Sequence, residues 1–391
     1  MTMKKFLKYF FLLLLVLNVA VFISGKTYIY KALLYNYVDI TDLDLFPTRE
    51  IKAGTPQPWP FAKDYNGKPM PASLKAINDR LKTVAFVVIK NDSLLYESYA
   101  DTFSDSSLTN SFSMAKSIVG VLTGFALKEG AIKSLDQKVS DFIPEYKQGK
   151  RSALTIRHLL QMSASLHWDE AYSSLFSVTT EAYYGTDLHN LVMKEDVRET
   201  PGTKFNYQSG VTQLLSFVLE KATGKKLSDY ASEKLWIPLG AEHSAQWSLD
   251  KENGSEKAYC CFYSNARDFA RIGSLYLHQG NWRGNQLLDS AWVQQSITPS
   301  RLPAFDIGLP DSSYGFHWWI GSDYFYCRGI LGQYIIVLPA EQLIIVRLGH
   351  ERDKDESGNL RDLPLYIKYV KEWVAVADGI RKTDSITVNT Y

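Results

Sequence analysis

One helix constrains the fold of this chain more than any other stretch, because it is apolar on nearly every face. The run 117–127 contains Ile, Val, Leu, Phe and Ala, with two glycines, one serine and one threonine. A helix without a polar face is buried in the body of a protein. Asn110 and Ser111 are good caps before it, and Gly130 is a good stop after it.

Ser113 and Lys116 lie at the start of this helix, three residues apart. Residues at that spacing share a face, so the Lys116 amine can reach the Ser113 hydroxyl. A lysine kept out of water has a lowered pKa and can act as the base that activates a serine nucleophile. The alternative, a cap followed by a surface lysine, is disfavoured on so apolar a helix.

The composition excludes several classes of function. The 391 residues suffice for one large domain or two interleaved ones. The net charge is +1 and the basic residues are scattered, so no nucleic-acid surface is expected. The seven histidines lack metal-ligand spacing, and three scattered cysteines make no zinc site, so we expect neither metal nor cofactor.

The N-terminal segment 1–25 is typical of a membrane anchor or a signal peptide. Lys4, Lys5 and Lys8 precede an uncharged apolar run, 9–25, at the lower limit for spanning a bilayer. We favour the uncleaved anchor, because no Ala-x-Ala-like cleavage site and no lipid-attachment cysteine follows. In either case the lysines stay inside, and the rest of the chain is extracytoplasmic, in a periplasm or secreted.

We expect a tether at 26–60, a folded domain at 61–378 and a tail at 379–391. Strands at both ends of the domain, with helices between, predict one antiparallel sheet built from distant parts of the chain. The fold class is α/β of the α+β type, with N- and C-terminal helices on the sheet and an inserted, mostly helical lobe. Between about 135 and 309 we expect no strand pair. The predicted strands are 84–89, 94–99, 324–328, 333–338 and 343–348, and the predicted helices include 72–82, 155–162, 211–223, 266–279 and 362–377.

The cysteines give no disulfide scaffold. Cys260 and Cys261 are neighbours, and neighbouring cysteines bond to each other only with strain. Three cysteines cannot all pair within the chain, and a bond from Cys327 to one of the other two is left open.

Two further stretches carry candidate site residues. Tyr207 lies in a turn-rich loop that enters a helix, and a phenol beside a lysine ammonium could relay the serine proton. Gly329 on a late strand would let the backbone approach a ligand and offer an N–H to an oxyanion. Tyr207 could equally be packed at a loop edge, and Gly329 could be an ordinary strand glycine. Glu170 is a candidate for the rim of the cleft or a solvated loop, and His317 is expected in the core.

These sites, in this order, resemble the serine β-lactamase and penicillin-recognising enzyme superfamily. The chain is most similar to its class C-type branch, which includes D-alanyl-D-alanine carboxypeptidases, β-lactamase-like esterases and 6-aminohexanoate-dimer hydrolases. The resemblance implies a β-lactamase/DD-peptidase-like fold, with Ser113 as the acylated nucleophile, Lys116 and Tyr207 in proton transfer, and the backbone N–H groups of Ser113 and Ile330 as oxyanion donors. Its strongest runs are 111–117, 134–139, 154–163 and 267–273.

The chain departs from the family pattern at two substrate-binding positions. Ser209 stands where Asn is usual, and Cys327-Arg328-Gly329 replaces Lys-Thr-Gly or His-x-Gly. The cation that binds a β-lactam or peptide carboxylate is therefore missing, and Arg328 should point to the opposite face of its strand. We expect an esterase or small-amide hydrolase. The alternatives are a binding or sensor protein that acylates slowly or never, and a cell-wall peptidase or β-lactamase.

Overall fold

The computed structural model describes residues 2–100, 102–304, 313–356 and 358–377, so the predicted tail lies outside the described residues. Its centre is a six-stranded antiparallel sheet, here called the central sheet, built from the two ends of the domain as predicted. Every pairing in it is antiparallel. In spatial order its strands are Ser93–Tyr99, Thr83–Lys90, Leu343–Gly349, Gln333–Leu338, Phe325–Gly329 and Trp319–Ile320.

The C-terminal helix Asp362–Ala377 covers one face of the central sheet. Phe86 stacks on Tyr366 of that helix with ring centroids 5.9 Å apart. The Tyr334 hydroxyl donates to the Asp362 carboxylate at 3.1 Å. Because strand residues alternate between faces, Phe86 and Tyr334 mark one side of the sheet and their neighbours mark the other.

The helix Ala266–Leu277 covers the other face, and it approaches very closely at Gly273. A Cβ at Gly273 would lie 3.0 Å from side-chain methyls of Ile335 and Ile344. Because Gly273 has no side chain, the helix backbone can pack directly on the side chains of the sheet. This close packing explains why a glycine is found inside a helix despite its conformational cost.

The fold class predicted from the sequence is confirmed, with a mostly helical region between the sheet strands. The loop at Asn91 and Asp92 has positive φ at both residues, as a tight hairpin turn requires. The helices of the described residues are Met3–Ile23, Tyr28–Tyr35, Ala72–Arg80, Met114–Lys128, Ile156–Leu160, Val178–Tyr184, Leu188–Lys194, Ser209–Thr223, Leu227–Ala231, Ala266–Leu277, Ser290–Ser296 and Asp362–Ala377.

A second sheet, here called the small sheet, includes two paired strands between 135 and 309, and Asn281–Trp282 pairs with Asn285–Gln286 in the same region, so the prediction of no strand pair there was wrong. Its strands have two to four residues, too short for an alternating pattern to be recognised. The segment 26–60, predicted as a tether, contributes one strand to it and also forms the helix Tyr28–Tyr35. In spatial order the strands are Thr48–Ile51, Ala245–Ser248, Phe262–Ser264 and Thr109–Asn110.

The helix Met3–Ile23 is long and apolar enough to cross a membrane, with a mean hydropathy of 2.5. None of its residues is buried against the rest of the protein.

The disulfide from Cys327 that the sequence left open does not form. Cys260 and Cys261 are joined to each other by a disulfide. Cys327 is a buried free thiol, and burial raises its pKa to about 12. Cys261 has φ 64°, so the chain turns sharply at this pair instead of sending the two side chains to opposite sides as an extended strand would.

Arg267, at the start of the run 267–273, has a structural role. Arg267 forms an ion pair with Glu97 of the central sheet, and the side chains are only 15% and 6% exposed. Tyr65 and Tyr99 donate hydroxyl hydrogen bonds to the same carboxylate at 2.6 and 2.8 Å. Burial alone would raise the pKa of Glu97, but the hydrogen bonds from Arg267, Tyr65 and Tyr99, together with the charge of Arg267, outweigh it and hold the pKa below its ordinary value.

We predict that Glu97→Gln lowers the free energy of unfolding by about 3 kcal/mol, because it leaves the buried Arg267 guanidinium without its main partner. Urea denaturation of the full-length chain measures this. Since the pKa of Glu97 is lowered on folding, its stabilisation is present above the ordinary value of 4.5 and is lost as the pH falls through the lowered pKa.

The matched control is Asp79→Asn, which breaks the exposed helical pair with Lys75, whose side chains are 63% and 66% exposed. It should cost about 0.5 kcal/mol or less. Equal losses in the two variants would contradict a stabilising role of the buried pair.

Candidate active site

The helix predicted to carry the nucleophile runs from Met114 to Lys128, and Ser113 is its N-cap residue. The capping role predicted for Asn110 and Ser111 is wrong. The Asn110 side-chain oxygen accepts instead from the Phe112 N–H at 2.9 Å, and the Ser111 hydroxyl donates to the Phe112 carbonyl at 3.1 Å. These bonds fix the tight bend before the helix, where Phe112 has φ 44°. Ser113 is left partly exposed at the end of a buried helix.

Lys116 is 1% exposed and its amine lies among three oxygens. Its Nζ is 3.1 Å from the Ser113 Oγ, 3.1 Å from the Ser209 Oγ and 3.0 Å from the Tyr259 carbonyl oxygen. The carbonyl can only accept, and the Ser209 hydroxyl donates its own hydrogen to Glu170 at 2.5 Å. When the amine is neutral, Ser209 and Tyr259 can accept its two N–H groups, which leaves its lone pair for the Ser113 hydroxyl.

Tyr207 lies beside this amine, as the sequence suggested. The Lys116 Nζ is 4.9 Å from the centroid of the Tyr207 ring. The same ring packs on Trp319, with centroids 5.6 Å apart, and forms an edge-to-face contact with Tyr314 at 6.0 Å. The phenol is thus held in an aromatic cluster at the edge of the site.

The loop that carries Tyr207 rests on the run 154–163. The Asn206 N–H donates to the Met162 carbonyl at 2.7 Å. On the other side of Tyr207, the Gln208 side chain donates to the Leu166 carbonyl at 2.8 Å. Both backbone neighbours of Tyr207 are therefore anchored to the helical lobe.

Ser209 is held by Glu170 rather than exposed to a substrate. The Glu170 carboxylate accepts from the Ser209 N–H at 2.8 Å as well as from its hydroxyl, and it also accepts from the Tyr172 hydroxyl at 2.6 Å. Gly210 follows directly against the Trp168 ring, where a Cβ would lie 2.2 Å from a ring carbon. Glu170, a candidate for substrate binding, is thereby placed behind Ser209, with both of its oxygens engaged.

The predicted oxyanion segment lies directly against the start of the nucleophile helix. A Cβ at Gly329 would be 2.3 Å from the Ser111 carbonyl oxygen, so only glycine allows this approach. Ile330 follows, and Leu331 turns the chain with φ 62°. The buried Arg347 donates to the Leu331 carbonyl at 2.8 Å and fixes this turn.

Arg328 lies on the strand face opposite Cys327, as predicted from strand alternation. The Cys327 side chain is buried in the core. The Arg328 guanidinium stacks on the Trp319 ring at 3.8 Å, and Trp319 itself packs on Tyr207. From the predicted face, Arg328 therefore reaches the aromatic cluster around Tyr207 through Trp319.

Arg352 lies at the other end of the same turn. A Cβ at Gly332 would be 3.2 Å from the Cβ of Arg352. Burial lowers the pKa of Arg352, and the positive charge of Arg328 lowers it further. Within the described part of the chain, neither guanidinium has a carboxylate within 4.0 Å. Two half-buried cations therefore flank the segment that carries Ile330.

His317 is a core residue, as expected. It is 1% exposed, and its ring nitrogens are 3.0 Å from the Thr212 hydroxyl and 3.0 Å from the Leu160 carbonyl. Burial lowers its pKa to about 3, so the ring is neutral at physiological pH.

Two groups that fix the geometry around Lys116 and Ile330 were missed in the sequence. The Tyr259 carbonyl had no signal, because any residue has a carbonyl and only tertiary structure selects one. Arg347 did have a signal: it is the one charged residue in the apolar strand Leu343–Gly349. A buried guanidinium has to find hydrogen-bond acceptors within the protein, and backbone carbonyl groups are the acceptors available beside an apolar strand.

Comparisons with known proteins identify the family of this chain. A family model described as Beta-lactamase matches residues 72–364. The 6-aminohexanoate-dimer hydrolase of Paenarthrobacter ureafaciens is 26% identical over 306 residues, which cover 72% of this chain and 78% of that protein. The chain belongs to the beta-lactamase family, and it is a serine hydrolase of that family.

Solved structures show the same fold. A Bacillus anthracis protein provisionally named a 6-aminohexanoate-dimer hydrolase superimposes with a TM-score of 0.76 at 22% identity, covering 88% of this chain and 94% of that one. A family VIII carboxylesterase superimposes with a TM-score of 0.61 at 16% identity, covering 78% and 98% of the two chains.

We predict that Glu170→Gln lowers the kcat for an ester substrate about 10- to 100-fold, because an amide cannot accept from both Ser209 donors and the Ser209 oxygen loses its fixed orientation toward Lys116. Steady-state hydrolysis measures this. Asp169→Asn removes the neighbouring, exposed carboxylate and is the matched control. A Glu170→Gln enzyme as fast as Asp169→Asn would contradict the role of Glu170.

Proposed function

We propose that this protein is a membrane-tethered serine hydrolase that acts on esters or small amides through an acyl-enzyme at Ser113. The observation that carries this proposal is the buried Lys116 amine, which lies 3.1 Å from the Ser113 hydroxyl and has two further acceptors, Ser209 and Tyr259, for its N–H groups. A base held in this orientation can take the serine proton as the new bond forms.

In the proposed reaction the Ser113 oxygen attacks the substrate carbonyl carbon and its proton passes to Lys116. The carbonyl oxygen becomes an oxyanion, stabilised by the N–H groups of Ser113 and Ile330. The tetrahedral intermediate collapses when the leaving group takes a proton from Lys116, with Tyr207 as the relay. Water then attacks the acyl-enzyme by the same route and releases the acid, which restores Ser113.

The membrane tether is supported by the helix Met3–Ile23. Its residues lie outside the body of the protein, and Lys4, Lys5 and Lys8 lie in its first two turns. An anchor in this orientation places the catalytic domain outside the cytoplasm. A disulfide at Cys260 and Cys261 is consistent with an oxidising compartment.

We predict that Ser113→Ala abolishes hydrolysis of a chromogenic short-chain ester, with at least a thousandfold loss of kcat, because no other group can form the acyl bond. The variant removes one oxygen at a partly exposed position, so its thermal unfolding should match that of the wild type. Turnover at the wild-type rate would exclude Ser113 as the nucleophile.

The rival function is a binding or sensor protein that acylates slowly or never. Ser209 in place of Asn, and the altered Cys327-Arg328-Gly329 element, favour it. A fluorophosphonate probe followed by intact-mass measurement separates the two: a stoichiometric adduct that Ser113→Ala abolishes supports the hydrolase, and its absence in the wild type supports the rival. A cell-wall peptidase would instead release D-alanine from a muropeptide.

We further propose that Arg328 and Arg352 select substrates with an anionic group such as a carboxylate. Arg328 is held over Trp319 on the Tyr207 side of its strand, and Arg352 packs against Gly332 at the end of the same turn. Two neighbouring guanidiniums repel each other, and a bound carboxylate would relieve that repulsion through charge-assisted hydrogen bonds. This pair would compensate for the cation missing from the family position.

We predict that Arg328→Gln lowers the preference for a carboxylate-bearing ester over a neutral ester by about tenfold, expressed as the ratio of their kcat/KM values. Two p-nitrophenyl esters, one of a dicarboxylic acid and one of a monoacid of equal length, provide this ratio. Arg283→Gln is the matched control, because Arg283 also stacks on a tryptophan, Trp282, at 5.4 Å. An unchanged ratio in Arg328→Gln would rule out the anionic selection.

A further inference from the structure

The disulfide between Cys260 and Cys261 directly follows a residue of the active site. Tyr259 supplies the carbonyl oxygen that lies 3.0 Å from the Lys116 Nζ, and Cys260 is the next residue. The peptide unit that holds this carbonyl is therefore the one that enters the disulfide. The position of the carbonyl depends on how the chain turns at the two cysteines.

The same pair is also bonded to the other half of the site. The Cys261 N–H donates to the Asn110 side-chain oxygen at 3.1 Å. That oxygen also accepts from the Phe112 N–H at 2.9 Å, and Phe112 directly precedes Ser113. The disulfide segment thus contacts the base through Tyr259 and the approach to the nucleophile through Asn110.

The small sheet holds the segment from behind. The Cys260 carbonyl accepts from the Trp247 indole N–H at 2.9 Å, and the Cys261 carbonyl accepts from the Ser248 N–H at 2.9 Å. Cys260 is 5% exposed and Cys261 is fully buried. With both carbonyls bonded and the side chains joined, the turn has little freedom, and Tyr259 is fixed with it.

We propose that the Cys260–Cys261 disulfide is a redox-sensitive positioning element for Lys116, a proposal that rests on the acyl-enzyme function above. A small dithiol would cleave the S–S bond by exchange: the disulfide gains two electrons and two protons and becomes two thiols, and the dithiol closes to its own cyclic disulfide. Once the cross-link is open, the Tyr259 carbonyl no longer fixes one N–H of the amine. The lone pair of Lys116 is then directed less often at Ser113.

This role predicts a specific kinetic signature. Cys260 and Cys261 are not placed among the candidate substrate-binding residues, so KM for a neutral ester should stay within about twofold. The kcat should fall about 10- to 100-fold, the scale expected when a catalytic group is misplaced by about 1 Å. A purely structural role would instead lower the fraction of active enzyme and leave the kcat of the remaining molecules unchanged.

The experiment compares the full-length wild type, the Cys260→Ala/Cys261→Ala double variant and the dithiol-reduced wild type. Fluorophosphonate titration counts active sites, so that kcat is expressed per competent molecule, and intact mass records the gain of two hydrogen atoms on reduction. We expect the low kcat in both altered forms, and recovery of the reduced enzyme on reoxidation. Cys327→Ala tests whether the free thiol contributes to the effect of the dithiol. The dithiol should lower the kcat of this variant by the same factor as that of the wild type, because the Cys260–Cys261 bond is the one that it cleaves.

Each outcome is decisive. An unchanged kcat per titrated site in the double variant overturns the positioning role, and if that variant does not fold, the reduced wild type decides by the same measure. A bond that survives excess dithiol overturns the redox sensitivity. Failure of the wild type to form any fluorophosphonate adduct would instead reject the proposed function itself, which distinguishes the two failures.

Discussion

The site depends on one physical constraint, which is that a lysine amine is buried with oxygen atoms on three sides. An amine removed from water has to recover its hydrogen bonds from the protein, and Lys116 recovers them from Ser113, Ser209 and Tyr259. These three partners come from the start of a helix, from the entry to a second helix and from the loop before a short strand. Packing these elements together therefore creates the site. The Lys116 amine has all of its hydrogen-bond partners only when all three elements are in place.

Close backbone approach is what allows that docking. Gly210 lies against the Trp168 ring, and Gly329 lies against the Ser111 carbonyl, at distances where a Cβ would collide. Each glycine is adjacent to a residue whose placement matters for the site, Ser209 in one case and Ile330 in the other. Around them, polar groups that take no part in the proposed proton transfers fix orientation: Glu170 orients the Ser209 hydroxyl, and Arg347 holds the turn after Ile330. Such a supporting shell keeps a reactive geometry within fractions of an ångström.

The sequence predicted the larger elements well, because long apolar patterns are governed by local periodicity. The buried helix, the hairpin 84–99 and the three late strands all appear close to their expected positions. The small sheet was missed because its strands of two to four residues are stabilised by partners distant in sequence, and no local pattern of that length is informative. The capping residues were misassigned for a related reason. Asn110 has good capping chemistry, but its side chain bonds Phe112 and Cys261 instead, and Cys261 lies 151 residues further along the chain.

By itself the sequence determined the chemical inventory: a serine and a lysine one helical turn apart on a buried helix, a tyrosine in a turn-rich loop, and a glycine on a late strand. It also determined the fold class, since strands at both ends of a helical region have to share a sheet to bury their apolar faces. Only the tertiary structure decided which oxygens face Lys116, that Cys260 bonds to Cys261, and that Arg328 lies on the Tyr207 side of its strand. Those outcomes depend on contacts between segments far apart in the chain, where direction and distance are set by packing and leave no periodic trace in the sequence.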